Sequence, residues 1–209
     1  MNMALRPMTT AAKWHVFLRH PRLPQADGLC YGRLDLPLPG ASFDQAAARL
    51  NARGGDVGSE RQTDGPQHAL DLRRLPLLTS PAQRCFGLAQ AWHHRHAQMR
   101  PGRLAPKIDL RLQEMHFGAW EGRAWSSIPR EDLDRWAADV VGYRVPEGES
   151  FADVIARVGD ALADLREPHL IVAHGGAIRA AWHLLGGVPV QNAASIGVAY
   201  AEPILIGAE

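Results

Sequence analysis

Short apolar runs alternate with longer stretches of helical periodicity along this chain. Residues 14–18, Trp14-His15-Val16-Phe17-Leu18, have the length and composition of a buried strand. Residues 75–79, 108–112 and 169–173 predict three more strands on the same grounds. Between them the period changes. One helix is predicted from Ser42, a suitable N-cap, to about residue 52. Another covers 81–96, with Pro81 in its first turn, where a missing N–H costs nothing. Residues 128–140 and 176–185 also read as helices. In 151–165, Phe151, Val154, Ile155, Val158, Leu162 and Leu165 fall on one face, and Ser150 with Asp153 has the spacing of a capping box. Residues 195–206 predict one or two closing strands. Such alternation implies an α/β fold, a three-layer α/β/α sandwich with a mainly parallel sheet.

The punctuation suggests a single domain over 1–209. Residues 1–13 read as a loose lead-in, 21–40 as too rich in Pro and Gly for regular structure, and 53–67 as a mobile surface loop. Composition narrows the function classes. The chain has 209 residues, 46% of them hydrophobic, and a formal net charge of +1. That balance argues against nucleic acid as a partner, so any affinity for anions must come from a local cluster. No apolar stretch approaches the roughly 20 residues needed to span a membrane. Two cysteines, Cys30 and Cys85, make no disulfide framework and fit a reducing, cytoplasmic location.

Chemistry concentrates where the predicted strands end. Arg19 and His20 follow the first strand, Arg84 lies just beyond the second, Glu114 beyond the third, and His174 with Gly175 and Gly176 beyond the fourth. Strand ends of α/β sheets face the ligand crevice, so two Arg, two His and one Glu become candidates for one pocket. A phosphate monoester carries two negative charges, and the planar forks of Arg19 and Arg84 suit its oxygens. The Gly-Gly after His174 permits close approach of backbone to a ligand.

Four segments in order resemble the histidine phosphatase superfamily, the phosphoglycerate-mutase-like proteins. They are Leu18-Arg19-His20, Thr79-Ser80-Pro81-Ala82-Gln83-Arg84, the block from Leu112 to Gly122, and Val172-Ala173-His174-Gly175-Gly176-Ala177-Ile178-Arg179. The resemblance implies a metal-independent phosphatase with no cofactor. His20 would be the nucleophile, Glu114 the acid and base, and Arg19, Arg84 and His174 the groups that hold the phosphoryl oxygens, joined by the backbone at Gly175. Neighbouring arginines should depress the His20 pKa and favour its neutral ring. The stretch from Gly28 to Leu38 is similar to that of alpha-ribazole phosphatases, which act on a cobalamin precursor. It implies alpha-ribazole 5′-phosphate among small phosphorylated metabolites as substrate, with Arg33 as a further contact; Arg22 offers either another phosphate contact or a solvent-facing side chain. A mutase with the same cage, or a catalytically idle phospho-ligand module, are the competing readings, and the resemblance leaves a homodimer open.

Two departures stand out. Pro21 replaces the Gly usual after the first histidine; it removes an N–H but keeps a carbonyl that could orient the His20 ring. Arg22-Leu23 replaces the usual Glu-Thr. Elsewhere, Trp120 and Trp125 read as core, and His93-His94-Arg95-His96 as a solvated helix end rather than a metal site. Cys30 and Cys85 read as packing residues, with Arg84 able to lower the Cys85 pKa.

Overall fold

The computed structural model describes residues 12–52, 71–97 and 105–207. Its sheet contains β1 (Trp14–Arg19), β2 (Leu77–Thr79), β3 (Lys107–Ile108), β4 (Leu170–Ala173) and β5 (Pro203–Gly207), in the spatial order β3-β2-β4-β1-β5. The first four strands are parallel, and β5 closes the edge antiparallel to β1. β4 inserts between β1 and β2. Its register pairs Ala173 with Arg19 and Val172 with Thr79, which puts the next residues, His20, Ser80 and His174, side by side at the carboxyl edge.

Among the described residues six α-helices accompany this sheet: α1 (Gly40–Ala52), α2 (Gln83–Ala97), α3 (Arg130–Ala138), α4 (Phe151–Ala163), α5 (Gly175–Leu184) and α6 (Val190–Ser195). Side chains of a strand alternate between its faces, and each face here is apolar. Val16, Leu18, Leu170 and Val172 pack against Leu50 of α1 and Leu88 and Trp92 of α2. Phe17, Leu78, Ile171 and Ala173 pack on the opposite side, against α4 and α5. This is the three-layer arrangement that the apolar runs imply. The Ser150–Asp153 capping box is formed in both directions at the start of α4, worth about 1 kcal/mol. No helix among the described residues is long and apolar enough to cross a membrane.

Several boundaries differ from the sequence reading, each for a local reason. α1 starts at Gly40, so Ser42 lies inside its first turn, its N–H bonded to the Pro39 carbonyl rather than its hydroxyl capping the helix. Pro81 precedes α2. The Ala82 carbonyl accepts the first helical bonds, from Cys85 and Phe86. The third strand stops at Ile108 because the Asp109 side chain accepts from the Arg111 N–H and winds 110–112 into a 3-10 turn. The closing region 195–206 is mostly not strand: α6 ends at Ser195, a loop follows, and only β5 is extended. The proposed loop 53–67 and most of the lead-in 1–13 lie outside the described residues.

Candidate active site

His20 leaves the end of β1 with 1% of its surface exposed. Its Nδ1 lies 2.7 Å from the Pro21 carbonyl oxygen. A carbonyl only accepts, so Nδ1 carries the proton and Nε2 keeps the lone pair. Pro21 thus orients the ring through the one backbone group it retains. His174, fully buried at the N-cap of α5, has its ring centroid 5.3 Å from that of His20. Its Nε2 shares a 2.8 Å hydrogen bond with the Ser80 hydroxyl, and the Cys85 sulfur packs 3.4 Å from the same nitrogen.

The two arginines are held by their terminal nitrogens. Arg84 Nη1 donates to the Leu34 carbonyl at 3.0 Å and reaches Asp35 at 3.4 Å, while Nη2 donates to the Gly32 carbonyl. Arg19 Nη1 donates to the Val198 carbonyl at 2.7 Å and Nη2 to the Tyr200 hydroxyl at 2.8 Å. The forks expected to face a phosphate are therefore partly spent on protein oxygens. The Nε–H of each is buried and has no acceptor among the described residues.

A cavity of roughly 190 Å³ opens beside them, lined by Arg33, Asp35, Arg84, Gln113, Glu114 and His174 among others. His20 and Arg19 are not part of its wall. Tyr200 packs on both, its ring centroid 3.7 Å from the Arg19 guanidinium carbon and 5.7 Å from the His20 ring. Glu114 sits at the start of α5, accepting from the Gly176 N–H at 3.0 Å and from the Met115 N–H at 2.9 Å. A Cβ at Gly176 would collide with Glu114 Oε1, so this approach needs glycine. Helix N-termini attract anions, which favours a carboxylate there and equally a phosphoryl group.

The imidazoles are kept neutral. Burial is the largest cause for His20, followed by Arg84 and, more weakly, Arg19; together they outweigh the Pro21 bond and lower its pKa to about 3. Burial dominates over the neighbouring arginines, the reverse of the weighting the sequence suggested. His174 is held well below its ordinary value by burial, then Arg84 and His20. His15, at the far end of β1, is lowered to about 4, mainly by burial. All three groups have folded-state values below the unfolded 6.5. Between those values the unfolded chain binds protons that the folded one refuses. Stability should be complete above about pH 6.5 and fall as pH drops, by up to about 1.4 kcal/mol per pH unit for each group. Melting temperatures at pH 7, 6 and 5 should decline progressively; a flat series would contradict the burial of neutral rings.

Residues with no role in the sequence reading complete the site. Glu121 accepts from the N–H groups of Gly32, Arg33, Leu34 and Phe117. Burial alone would raise its pKa, but these bonds outweigh it and hold the carboxyl below its usual range. The loop it gathers supplies the carbonyls that grip Arg84. Asp35 fixes the same loop to α2 by accepting from the Gln83 N–H. Tyr200, Ser80, Glu149 and Arg157 belong to the same assembly; Ser80 lies in the Thr79–Arg84 segment without a role assigned to it there, and the other three sit in no spacing that stands out in the sequence.

Other expectations change. Arg22 pairs with Asp27 at 2.6 Å on the surface and does not line the cavity. Arg33 does line it, paired with Glu149 at 2.8 Å. Gly175 packs near both Arg19 and Arg179. Burial pushes the Cys85 thiol up despite Arg84, so the arginine does not activate it. Cys30 is pushed up to about 12, also mainly by burial. His96 is not solvated: it packs on Trp92, its Nδ1 donating to the Trp92 carbonyl. Trp120 is core, whereas Trp125 is partly buried, stacked on Trp136.

Residues 15–207 match the Histidine phosphatase superfamily (branch 1). A Hydrogenobacter thermophilus protein named as a phosphoserine phosphatase is 36% identical over 92 residues, 41% of this chain and 45% of that protein. A glucosyl-3-phosphoglycerate phosphatase of Mycobacterium tuberculosis is 31% identical over 143 residues, 60% of this chain and 61% of that protein. The matches thus span about half to three fifths of these relatives' lengths. The crystal structure of a mycobacterial glucosyl-3-phosphoglycerate phosphatase with VO3 superposes with a TM-score of 0.68 at 27% identity, covering 93% of this chain and 92% of the other.

Proposed function

The chain belongs to the histidine phosphatase superfamily, branch 1, and on that premise we propose that it hydrolyses small phosphomonoesters through a phosphohistidine at His20. The observation that carries this reading is the neutral His20, its Nδ1–H fixed on the Pro21 carbonyl and its lone pair on Nε2. The phosphoryl group enters past Arg84 and His174. Its oxygens take the buried Nε–H groups of Arg19 and Arg84 and the amino end of α5, with His174 bonded to Ser80 beside them. His20 Nε2 attacks phosphorus as the ester P–O bond breaks, and Glu114 gives its proton to the leaving alkoxide. The Glu114 carboxylate then takes a proton from water, whose oxygen attacks phosphorus. The N–P bond breaks, phosphate leaves, and both His20 and Glu114 return to their starting states.

The alpha-ribazole 5′-phosphate reading rests on the stretch from Gly28 to Leu38 alone. The named relatives act, by their names, on phosphoserine and glucosyl-3-phosphoglycerate, so the substrate class proposed is a small phosphorylated metabolite. Incubation with p-nitrophenyl phosphate in EDTA should release nitrophenol, and acid quenching should destroy a phosphoprotein that alkaline quenching preserves. No release would favour an idle phospho-ligand module. Phosphoryl return to substrate instead of water would favour a mutase. A screen of phosphorylated metabolites, alpha-ribazole 5′-phosphate included, would then rank substrates.

A further inference from the structure

Glu114 lies in an irregular stretch between two 3-10 turns, Leu110–Leu112 and Gly118–Trp120, where no sheet ladder or helix fixes its backbone. Side chains do so instead. Arg157 of α4 donates Nη1 to the carbonyls of Arg111 and Gln113, both at 2.7 Å, and Nη2 to the carbonyl of Glu114 at 3.0 Å. The same guanidinium forms a two-pronged pair with Glu149, at 3.0 Å on each oxygen. Glu149 in turn accepts from the His116 N–H at 2.9 Å. The segment is therefore gripped on both sides of Glu114, and both gripping side chains are only 15% exposed.

We propose that Glu149 and Arg157 are the positioning pair for Glu114, holding its carboxylate at the start of α5 where a leaving oxygen must be protonated. The proposal rests on the acid–base reading of Glu114. Of the four carboxylates in this region only Glu114 and Asp35 line the cavity, and Asp35 is engaged by the Gln83 N–H and by Arg84. Glu121 is saturated by four backbone N–H groups and Glu149 by Arg33, Arg157 and His116. Neither is free to exchange a proton with substrate. Arg157 touches no reacting atom; it acts through the backbone that carries Glu114. An arginine is required because a lysine ammonium cannot reach three carbonyls and a carboxylate from one planar group.

The test compares turnover of p-nitrophenyl phosphate, whose leaving group needs little protonation, with that of glycerol 3-phosphate, whose alkoxide needs a full proton. Wild type and Glu114→Gln set the two reference ratios. Arg157→Lys should lower the glycerol 3-phosphate to p-nitrophenyl phosphate kcat ratio by about 100-fold, toward the Glu114→Gln value, with KM little changed. Should Arg157→Lys fail to fold by circular dichroism, Glu149→Gln carries the same expectation. Equal losses on both esters, or none, overturn the positioning role. A Glu114→Gln ratio equal to that of wild type removes the acid reading, and the proposal with it.

Discussion

A His20→Ala enzyme should lose p-nitrophenyl phosphate turnover by on the order of 10⁴-fold or more, and yield no trapped phosphoprotein. The expectation follows from the ring's placement. A nucleophile needs a lone pair on one nitrogen and a fixed proton on the other, and His20 has the Pro21 carbonyl for the second task. No other described group duplicates it. His174 stands 5.3 Å away, but its Nε2 is committed to Ser80 and its ring packs against Cys85. Removing a buried imidazole leaves a cavity and an unpaired carbonyl, so some stability is lost as well. The His20→Asn variant, which offers the Pro21 carbonyl an amide donor, separates the two effects. It should fold as wild type by circular dichroism and remain inactive. Turnover of either variant within tenfold of wild type would remove His20 from the reaction.

Adding one methyl group at Gly176 is the second large effect. The new Cβ would clash with Glu114 Oε1, and the carboxylate would have to shift from its seat against the Gly176 N–H. Alanine is about 1 kcal/mol better than glycine within a helix, so Gly176→Ala need not cost fold stability. Activity and stability should then separate. Turnover of glycerol 3-phosphate should fall about 100-fold or more, and that of p-nitrophenyl phosphate much less, while the melting temperature holds. If both esters were turned over as by wild type, the carboxylate would have room to work from elsewhere, and its contact with Gly176 would be incidental.

Much of this architecture is legible in the chain because it depends on local apolar patterning. Phe17 and Ile171 face one way and Val16, Leu18, Leu170 and Val172 the other, so strands covered on both faces show as continuous apolar runs. The strand ends then give the positions of Arg19, His20 and His174 directly. The Ser150–Asp153 cap is equally local. What escaped the sequence is long-range satisfaction of polar groups. Glu121 binds N–H groups nearly ninety positions earlier, and Arg157 binds carbonyls more than forty positions earlier. No spacing rule announces either. The same blindness explains the arginines: their type and place are readable, but not that backbone carbonyls and Tyr200 would occupy their terminal nitrogens. Short elements fail for a related reason, since one Asp109 side chain outcompetes a strand ladder at 108–112.

The clamp at Glu121 has a consequence for anyone wishing to redesign this protein. One carboxylate gathers the loop at the mouth of the cavity, and that loop's carbonyls hold the Arg84 guanidinium in the cavity wall. On the proposed function, grafting a foreign loop to alter selectivity would therefore disturb turnover too, unless the graft returned three N–H groups and two carbonyls to the same points. Loop shape and guanidinium placement are mechanically linked here. The Arg33 side chain, although it projects from the clamped backbone, is no safer a place for change, because it pairs with Glu149, which grips the segment carrying Glu114.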